Sequence, residues 1–504
     1  MIWFNSLSKN NIFNFILKFI YYLIIIMGII VITDILLRKD ILFYDEVGYL
    51  KKGKNVFNSL ILDGIVYHLY YNFIYNIFIN SVLTYKSNQI ILVLFIYVSL
   101  LKISFNNDIY KNLLLGLLVT NFILLSNILE IWPFITLFTC SWGVLFFYFR
   151  KERFPKNYII ILLIFFLLFY TRPDFLISFL VFSLFFIYEC LKNFSKNHFI
   201  VILELIIICL IIYFFNPITN RSLEAFSQHF SFRAFLEKKI TINPWTNYEY
   251  FNLIFSNPKS LLDVPINNPE AFFGHILKNL LDIPKLTYQL LGGDSFIEFI
   301  LIIVYLIIFK ISQLNNYIKK EKVLFIYTIS FVSSQIFSLF VIYPREHYLL
   351  QLLIPGIIIL FHIISKIYIS KKIISLLIII NIFIFTNFIY FKLPVIPNII
   401  NENCSNTKII SFLNKIGKSP ISILSVRGNI CDMTENENCN HIYEWEKESN
   451  WINFQKKKNI NYVIMEEELL NDPRFKEDLE FQKFFNINKN TVKICEGVNL
   501  IFIQ

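Results

Sequence analysis

The feature that most constrains this chain is a series of apolar segments, many of them roughly 18–25 residues long, separated by charged loops. A helix of that length crosses the ~30 Å hydrocarbon layer of a bilayer. Backbone polar groups in lipid must be satisfied within their own segment, so helices are expected rather than strands. The hydrophobic share of 56% in 504 residues also exceeds that of ordinary soluble domains. We predict an α-helical polytopic membrane protein with about eleven transmembrane helices, over residues 12–37, 88–106, 112–131, 133–149, 157–171, 174–191, 198–215, 294–310, 322–342, 347–365 and 372–391.

The basic residues of the short loops predict the orientation of these helices, because cytoplasmic loops carry an excess of Lys and Arg. The first segment is too long for a signal-peptide core and no small-residue cleavage site follows it, which predicts a retained first helix. With the N-terminus in the cytoplasm, all the strongly basic short loops fall inside. These are residues 150–156, 319–322 and 366–372.

The formal net charge of +10 is assigned to the same topological signal and to attraction by anionic membrane lipids. We therefore expect membrane lipids among the partners, and no nucleic acid. The predicted location is a plasma membrane, with the bacterial inner membrane preferred.

The same orientation divides the chain into a membrane domain, residues 1–392, and an extracytoplasmic C-terminal α/β domain, residues 393–504. Two long loops of the membrane domain, 38–87 and 216–292, also face outward. The stretch 59–83 is rich in aromatic residues and poor in charge, which predicts helices lying at the membrane interface. The alternative is a further buried span, which would place every basic loop outside.

The C-terminal domain shows alternating short elements. A helix is predicted over 408–416, strands over 421–426 and 462–465, and a hairpin of 492–495 with 500–502. Its cysteines are even in number, as expected of an exported domain with one or two disulfides, and their spacing fits no zinc motif. The sequence does not determine the pairing of Cys404, Cys431, Cys439 and Cys495.

An acidic pair, Asp45-Glu46, follows the first apolar segment and falls on the predicted outer side. A carboxylate near a membrane surface can act as a general base toward a hydroxyl group or help to bind a divalent metal. The plainer interpretation is a solvated acidic loop. The sequence alone leaves both open.

Two arginines, Arg172 and Arg345, lie in turns on the same predicted side. A guanidinium group can bind two phosphate oxygens at once and stays charged beside lipid, so either could hold the phosphate of an amphiphilic donor. The alternative is an arginine that extends from a helix end to the interface. Four neighbours are candidate supporting residues: Asp174 and Glu346 as charge partners, His347 as a proton shuttle, metal ligand or interfacial side chain, and Glu130 at an outward turn.

Three short elements carry a family resemblance. They are Asp45-Glu46-Val47-Gly48-Tyr49, Thr171-Arg172-Pro173-Asp174, and residues 345–350 with Pro355. In this order, with many spans and an exported tail, they resemble the GT-C class of membrane glycosyltransferases. The nearest patterns are those of the protein O-mannosyltransferases and the bacterial aminoarabinose transferases. The third element departs from the family pattern because Glu346 and His347 separate the arginine from the tyrosine, and Gln351 stands where proline is frequent.

The resemblance implies inverting transfer of a sugar from a polyprenyl-phosphate donor to a lipid, glycan or protein acceptor. Asp45 would be the catalytic base or metal-contacting acid, with Glu46 and Tyr49 in support. Arg172 and Arg345 would bind the donor phosphate, stabilising the charge of the leaving group. No cofactor is certain, and the need for a divalent metal is left open.

Three rival functions remain at this point. An outer-leaflet glycan polymerase or ligase would also use outward arginines, but has no need of the early acidic pair. A transporter or flippase is disfavoured because such proteins carry charged residues within their transmembrane spans. The predicted spans of this chain contain almost no charged residues. The third rival is a purely structural membrane protein.

Overall fold

The computed structural model describes residues 9–43, 45–57, 64–149, 156–192, 203, 205–212, 221–240, 248–395, 404–416, 420–436, 438–447, 449–487 and 491–503. As far as residue 395, the described elements are helical, with short connections. They are α1 (Lys9–Arg38), α2 (Asp45–Lys54), α3 (Ile65–Phe78), α4 (Ser81–Ser104), α5 (Ile109–Leu125), α6 (Ile135–Phe149), α7 (Lys156–Phe169), α8 (Phe175–Lys192), α9 (Arg221–Leu236), α10 (Glu249–Phe255), α11 (Asp263–Asn267), α12 (Pro269–Leu291), α13 (Gly293–Lys320), α14 (Lys322–Val341), α15 (Glu346–Lys366) and α16 (Lys371–Asn387).

Within the described residues, five helices are long and apolar enough to cross a membrane. Five shorter apolar helices accompany them, in α5, α6, α7, α8 and α14. The chain is therefore a helical membrane protein, and the total number of spans remains a prediction. Half of the predicted span 198–215 lies outside the described residues. The five long segments are Ile12–Arg38, Ser81–Ser104, Phe299–Lys320, Glu346–Lys366 and Lys371–Lys392.

Several helices differ from the predicted boundaries. The span expected from residue 88 begins at Ser81, and the span expected over 294–310 continues to Lys320, with a kink at Lys310, where φ is −132°. The end of the loop expected over 216–292 forms the 23-residue helix α12, which begins with Pro269 in its first turn and with the Asn268 side chain accepting from the Ala271 amide. Both features are typical of helix starts.

The described chain separates into two compact units. We call one the helical unit, which comprises Met1–Ile32, Ile61–Val66 and Leu92–Pro394. We call the other the mixed unit, which comprises Thr33–Leu60, Tyr67–Ile91 and Val395–Gln504. The boundary predicted at residue 392 stays a prediction. The mixed unit nevertheless groups the chain after it with most of the first predicted outward loop.

The helical unit is held together largely by aromatic packing. Helix α14 packs against α8 and α15, and α16 packs against α5. Ring centroids lie 5.4 Å apart for Phe165 and Tyr327 and 5.2 Å apart for Phe175 and Phe331. Each such pair contributes ~0.5–1.5 kcal/mol beyond area burial. Lipid tails are as apolar as these side chains, so close packing, and not water exclusion, holds membrane helices together.

The C-terminal part of the mixed unit is a five-stranded sheet flanked by helices. Its strands are β1 (Ile421–Ser425), β2 (Cys439–Tyr443), β3 (Tyr462–Met465), β4 (Thr491–Cys495) and β5 (Val498–Phe502), in the order β2-β1-β3-β5-β4. Strands β1, β2 and β3 are parallel, whereas β5 is antiparallel to β3 and β4. The predicted strands and hairpin are confirmed, and Gly497 in the turn has a φ of +78°, which favours glycine. Strand β2 was not predicted.

The first predicted outward loop packs against the tail within the mixed unit. Asp40 accepts hydrogen bonds from the backbone amides of Asn406 and Thr407 at 2.5 and 3.2 Å, at the start of the helix Asn406–Lys415. Lys51 forms an ion pair with Asp432 at 2.8 Å. A carboxylate at a helix N-terminus is favoured by the helix dipole. These contacts fix the loop and the tail to each other.

Two disulfides are present in the mixed unit, which confirms the expectation of one or two. They join Cys404 to Cys495 and Cys431 to Cys439. Structural disulfides are typical of exported domains.

The 14-residue helix α3 covers part of the aromatic stretch 59–83. At ~1.5 Å per residue its length is about 21 Å, short of the ~30 Å that a spanning helix needs. One of its faces is buried through Tyr67, Tyr71 and Ile74, while Phe73 and Ile77 are exposed. This amphipathic pattern is typical of a helix that lies on a membrane surface.

Candidate functional site

The acidic pair lies at the start of α2, and its two carboxylates have opposite environments. Asp45 is exposed at the first helical position, where the helix dipole favours negative charge. Glu46 is only 1% exposed. Successive helical residues point about 100° apart, so one member of such a pair can meet solvent while the other is buried. Asp45 is thus the carboxylate of the pair that is open to solvent.

Glu46 is held by hydroxyl groups from α3 and an amide from α4. Tyr67 Oη donates to Glu46 Oε1 at 2.5 Å, and Tyr71 Oη donates to the same oxygen. Asn88 Nδ2 lies 3.5 Å from that oxygen and donates to Tyr67 Oη at 3.0 Å. We call Glu46, Tyr67, Tyr71 and Asn88 the acid–tyrosine cluster. It joins three helices of the mixed unit beside Asp45.

Burial and the neighbouring Glu46 charge both raise the pKa of Tyr67 and of Tyr71 well above the ordinary tyrosine value. The two phenols therefore keep their protons and act as hydrogen-bond donors. The ring of Tyr49 packs edge-on against Tyr67 at 5.5 Å and lies 5.9 Å from the ring of His68. Tyr49, expected in a supporting role, thus contacts this cluster through its ring.

In the helical unit, Arg172 is anchored on two sides. Its Nε donates to Asp174 Oδ1 at 3.2 Å, and its Nη2 donates to Asp174 Oδ2 at 3.0 Å. Its Nη1 donates to Gln351 Oε1 at 3.2 Å, while Gln351 Nε2 donates to Thr139 Oγ1 at 2.5 Å. Gln351, which departs from the family pattern, therefore links α6 and α15 to the arginine.

Asp174 is itself fixed by α14, because Gln335 Nε2 and Ser338 Oγ donate to its Oδ2 at 3.1 and 3.3 Å. The Arg172 side chain is 15% exposed, and its guanidinium group lies 5.3 Å from the centre of the Tyr348 ring. Cation–π contacts of this kind favour a fixed guanidinium plane. Arg172 is thus a positioned charge at the start of α8.

The turn that contains Arg345 is held by α9 and α12. Arg233 Nη2 donates to Asn279 at 2.6 Å and to Asp282 at 2.8 Å, and its guanidinium group stacks on Tyr343. Asn279 Nδ2 also donates to the carbonyl oxygen of Ile342 at 3.2 Å. The half-buried Arg345 follows this turn, with its guanidinium group 5.2 Å from the centre of the Phe232 ring.

Two histidine rings lie close to Tyr348, near Arg172 and Arg345. The His347 ring lies 4.1 Å from the Tyr348 ring, and the His229 ring lies 6.3 Å from it. His347 is within electrostatic range of Arg172, Arg345 and His229. Burial, followed by the charges of Arg345 and His275, lowers the pKa of His229 to about 3. His229 is therefore neutral at physiological pH.

Two carboxylates complete this group. Glu346 accepts a hydrogen bond from the Asn127 side chain and lies within electrostatic range of Glu130. Trp132, two residues after Glu130, packs its ring 6.5 Å from that of His347. The helical unit thus brings together every candidate that the sequence placed there. We call the set the arginine–histidine cluster; it comprises Arg172, Asp174, Arg345, Glu346, His347, Glu130, His229 and Tyr348.

The sequence reasoning missed the uncharged polar members of both clusters. Tyr67 and Tyr71 are four residues apart, which places them on one helix face, and Asn88 interrupts an apolar run. Those were the available signals. His229 gave none, because single polar residues in helices of this composition are common, and Gln351, a neighbour of the second cluster, was noted only as a departure from the family pattern.

A divalent metal has no assembled site in the described part of the chain, where no group of three or more His, Cys, Asp or Glu side chains is placed to hold one. The oxygen Oε1 of Glu46 is already committed to two phenols. We therefore assign no chemical step to a metal.

Comparison with known proteins identifies no relative: neither a family model, nor a curated protein, nor a solved structure matches this chain.

Proposed function

We propose that this chain is a membrane glycosyltransferase of GT-C type that transfers a sugar from a polyprenyl-phosphate donor to a lipid, glycan or protein acceptor on the outer face of the membrane. The observation that carries the proposal is the arginine–histidine cluster. Arg172 is positioned there by a buried hydrogen-bond network, and Arg345 lies at a turn held by Asn279 and stacks on Phe232. Fixed guanidinium groups at such a position suit the phosphate of a membrane-embedded donor.

The donor chemistry assigns these arginines a role in the transition state. As the bond from the anomeric carbon to the phosphate oxygen breaks, negative charge grows on the leaving phosphate. Cations that are already oriented stabilise that charge without reorganising, which lowers the barrier to reaction. Arg172 is anchored through Asp174 and Gln351, so it stays in place during the reaction.

Asp45 acts on the acceptor in this proposal. Its exposed carboxylate accepts the proton of the acceptor hydroxyl as the oxygen attacks the anomeric carbon, with inversion of configuration. Glu46 has a positioning role, because it is buried and pins the start of α2 to α3. Replacement of Glu46 therefore acts through the placement of Asp45.

The outer face is proposed from the mixed unit. Its two disulfides suit an oxidising compartment, and its loop and tail pack together. We therefore propose that the N-terminus lies in the cytoplasm and the C-terminal domain outside, and that the membrane is the bacterial inner membrane.

The test is transfer from radiolabelled polyprenyl-phosphate sugars in membranes that contain equal amounts of wild-type or variant protein. Asp45→Asn and Arg345→Gln are each expected to reduce transfer at least about 100-fold. Glu467→Gln is the matched control, because Glu467 is also exposed in the first turn of a helix of the mixed unit. Its transfer should equal that of wild type.

Three results would count against the proposal. Unchanged transfer by Asp45→Asn would remove Asp45 from the chemistry. Transfer that needs Arg345 but not Asp45, with chain-lengthened glycan as the product, would favour an outer-leaflet polymerase or ligase. Absence of transfer with every donor, together with movement of labelled lipid across the bilayer, would favour a flippase.

A further inference from the structure

The arginine–histidine cluster contains a buried histidine that the proposed chemistry has not used. His229, on α9, is 6% exposed and faces α15 through Tyr348 and Arg345. From α12 it faces His275, and His347 of α15 is also within electrostatic range. Among the described residues, the titratable or charged neighbours of His229 thus include Arg345, His275, His347 and Tyr348, and Arg233 lies one turn further along α9.

We propose that His229 is a proton-accepting member of the anion site at Arg345, so that the site takes up a proton when it holds a phosphate group with two negative charges, as the leaving polyprenyl phosphate carries once its bond to the sugar has broken. The inference rests on the proposed function, because it deepens the role of the donor-phosphate site. It assigns the site a ligand class, a divalent oxyanion, and a pH dependence.

The geometry supplies the reason. Arg345 is half-buried and stacks on Phe232, three residues from the buried His229 on α9, so the Phe232 and His229 side chains share one face of that helix. An anion that pairs with Arg345 offsets the positive charge that, together with burial, disfavours a proton on His229. A divalent anion also attracts that proton directly. The pKa of His229 then rises from about 3 toward the ordinary histidine range. His275 and His347 counteract this rise only when they themselves carry a proton.

Proton balance gives this arrangement a use in the transfer reaction. The leaving polyprenyl phosphate gains negative charge as its bond to the sugar breaks. A proton on His229 offsets part of this charge and returns to water when the phosphate leaves. No bond to His229 forms or breaks apart from its N–H bond.

The experiment uses inorganic sulfate as the probe, because sulfate is a dianion that does not titrate between pH 5 and 8. Binding of radiolabelled sulfate to the purified full-length protein in detergent is measured at pH 5.5 and 7.5, at constant ionic strength. Wild-type affinity is expected to be higher at pH 5.5 by at least about threefold, because a ligand that binds with a proton binds more tightly at low pH. His229→Asn should lose most of that difference.

His441→Asn is the matched control. His441 lies in the mixed unit, and burial lowers its pKa to about 4, so it resembles His229 in titration but not in position. Its variant should keep the wild-type pH dependence. Arg345→Gln should lose sulfate affinity at both pH values, by about tenfold, because the paired cation is removed.

A measurement on the wild-type chain removes any dependence on the folding of variants. Calorimetric titration with sulfate in two buffers of different ionisation enthalpy gives the number of protons taken up per anion at pH 5.5. Zero uptake would overturn the inference. It would also be overturned by a pH dependence that survives in folded His229→Asn, or that disappears in His347→Asn alone.

These outcomes are separable from those of the transfer assay. Sugar transfer without proton-coupled sulfate binding refutes the role of His229 only. Proton-coupled sulfate binding without transfer from any donor refutes the glycosyltransferase and retains the anion site.

Discussion

The hydrogen bonds to Glu46 Oε1 in the acid–tyrosine cluster allow a quantitative prediction of the free energy of unfolding. Tyr71→Phe removes one of the two phenol hydroxyl groups that donate to Glu46 Oε1, and keeps the ring that fills the site. A hydrogen bond to a neutral partner contributes about 0.5–1.5 kcal/mol and one to a charged partner about 1.5–3 kcal/mol. Tyr67 stays in place, so the acceptor keeps one strong donor. We expect the free energy of unfolding to fall by about 1–3 kcal/mol.

The assay is reversible unfolding of the detergent-solubilised protein, followed through a fluorescent label in the mixed unit. Tyr462→Phe is the control, because Tyr462 packs edge-on against Phe502 in the same unit and lies 5.2 Å from it, away from Glu46. Its effect should be within about 0.5 kcal/mol, as for substitutions that break no network. The double variant Tyr67→Phe/Tyr71→Phe should lose more than the sum of the single losses, because it removes both phenol hydroxyl groups that donate to Oε1 of the buried Glu46.

The sign of the pH dependence gives an independent check. The folded-state pKa values of Tyr67 and Tyr71 are raised, so their contribution to stability is complete below the unfolded tyrosine pKa of ~10 and is lost as pH rises above it. Wild type should therefore lose stability more steeply above pH ~10 than the double variant does. A Tyr71→Phe effect as small as that of Tyr462→Phe, or equal alkaline profiles, would show that Glu46 is not held in this way.

Two further predictions concern the C-terminal part of the mixed unit. The pair Lys447–Asp478, at 2.8 Å, has side chains that are 8% and 7% exposed, so Asp478→Ala should destabilise the unit by about 3–5 kcal/mol in the same assay. Burial raises the pKa of Asp478, but Lys447 and backbone amides outweigh burial and leave that pKa below the ordinary value. The stabilisation by this pair should thus be present above pH ~4 and decline as pH falls further. Stability that does not change with pH in the acid range would contradict this prediction. Replacing Cys404 and Cys495, 91 residues apart, by serine should cost about 4–5 kcal/mol, whereas the same change at Cys431 and Cys439, 8 residues apart, should cost about 2–3 kcal/mol. Equal losses for the two pairs would contradict the loop-length reasoning.

The helical architecture could be predicted because length and apolar content are local properties. Segments such as 12–37 and 347–365 are long enough to cross a bilayer whatever they pack against. The hairpin ending in β5 was predictable for a similar reason, since a Glu-Gly turn between apolar runs is a local signal. Strand β2 has no such signal: it consists of Cys439 to Tyr443 and includes an asparagine and a histidine. It is a strand because β1 provides a parallel edge beside it.

For the candidate site as well, features set by local sequence could be predicted, and features set by tertiary contacts could not. Charge at a predicted helix end is visible in the sequence, so Arg172 and Arg345 could be named in advance. The partners that fix them could not, since an uncharged Gln351 acquires its meaning only where α15 meets α6 and the turn before α8. The acidic pair shows the limit most clearly. Sequence gives Asp45 and Glu46 the same chemistry, and the start of α2 turns them to different sides. The side on which α3 presents Tyr67 and Tyr71 then decides which carboxylate is buried and which stays exposed to solvent.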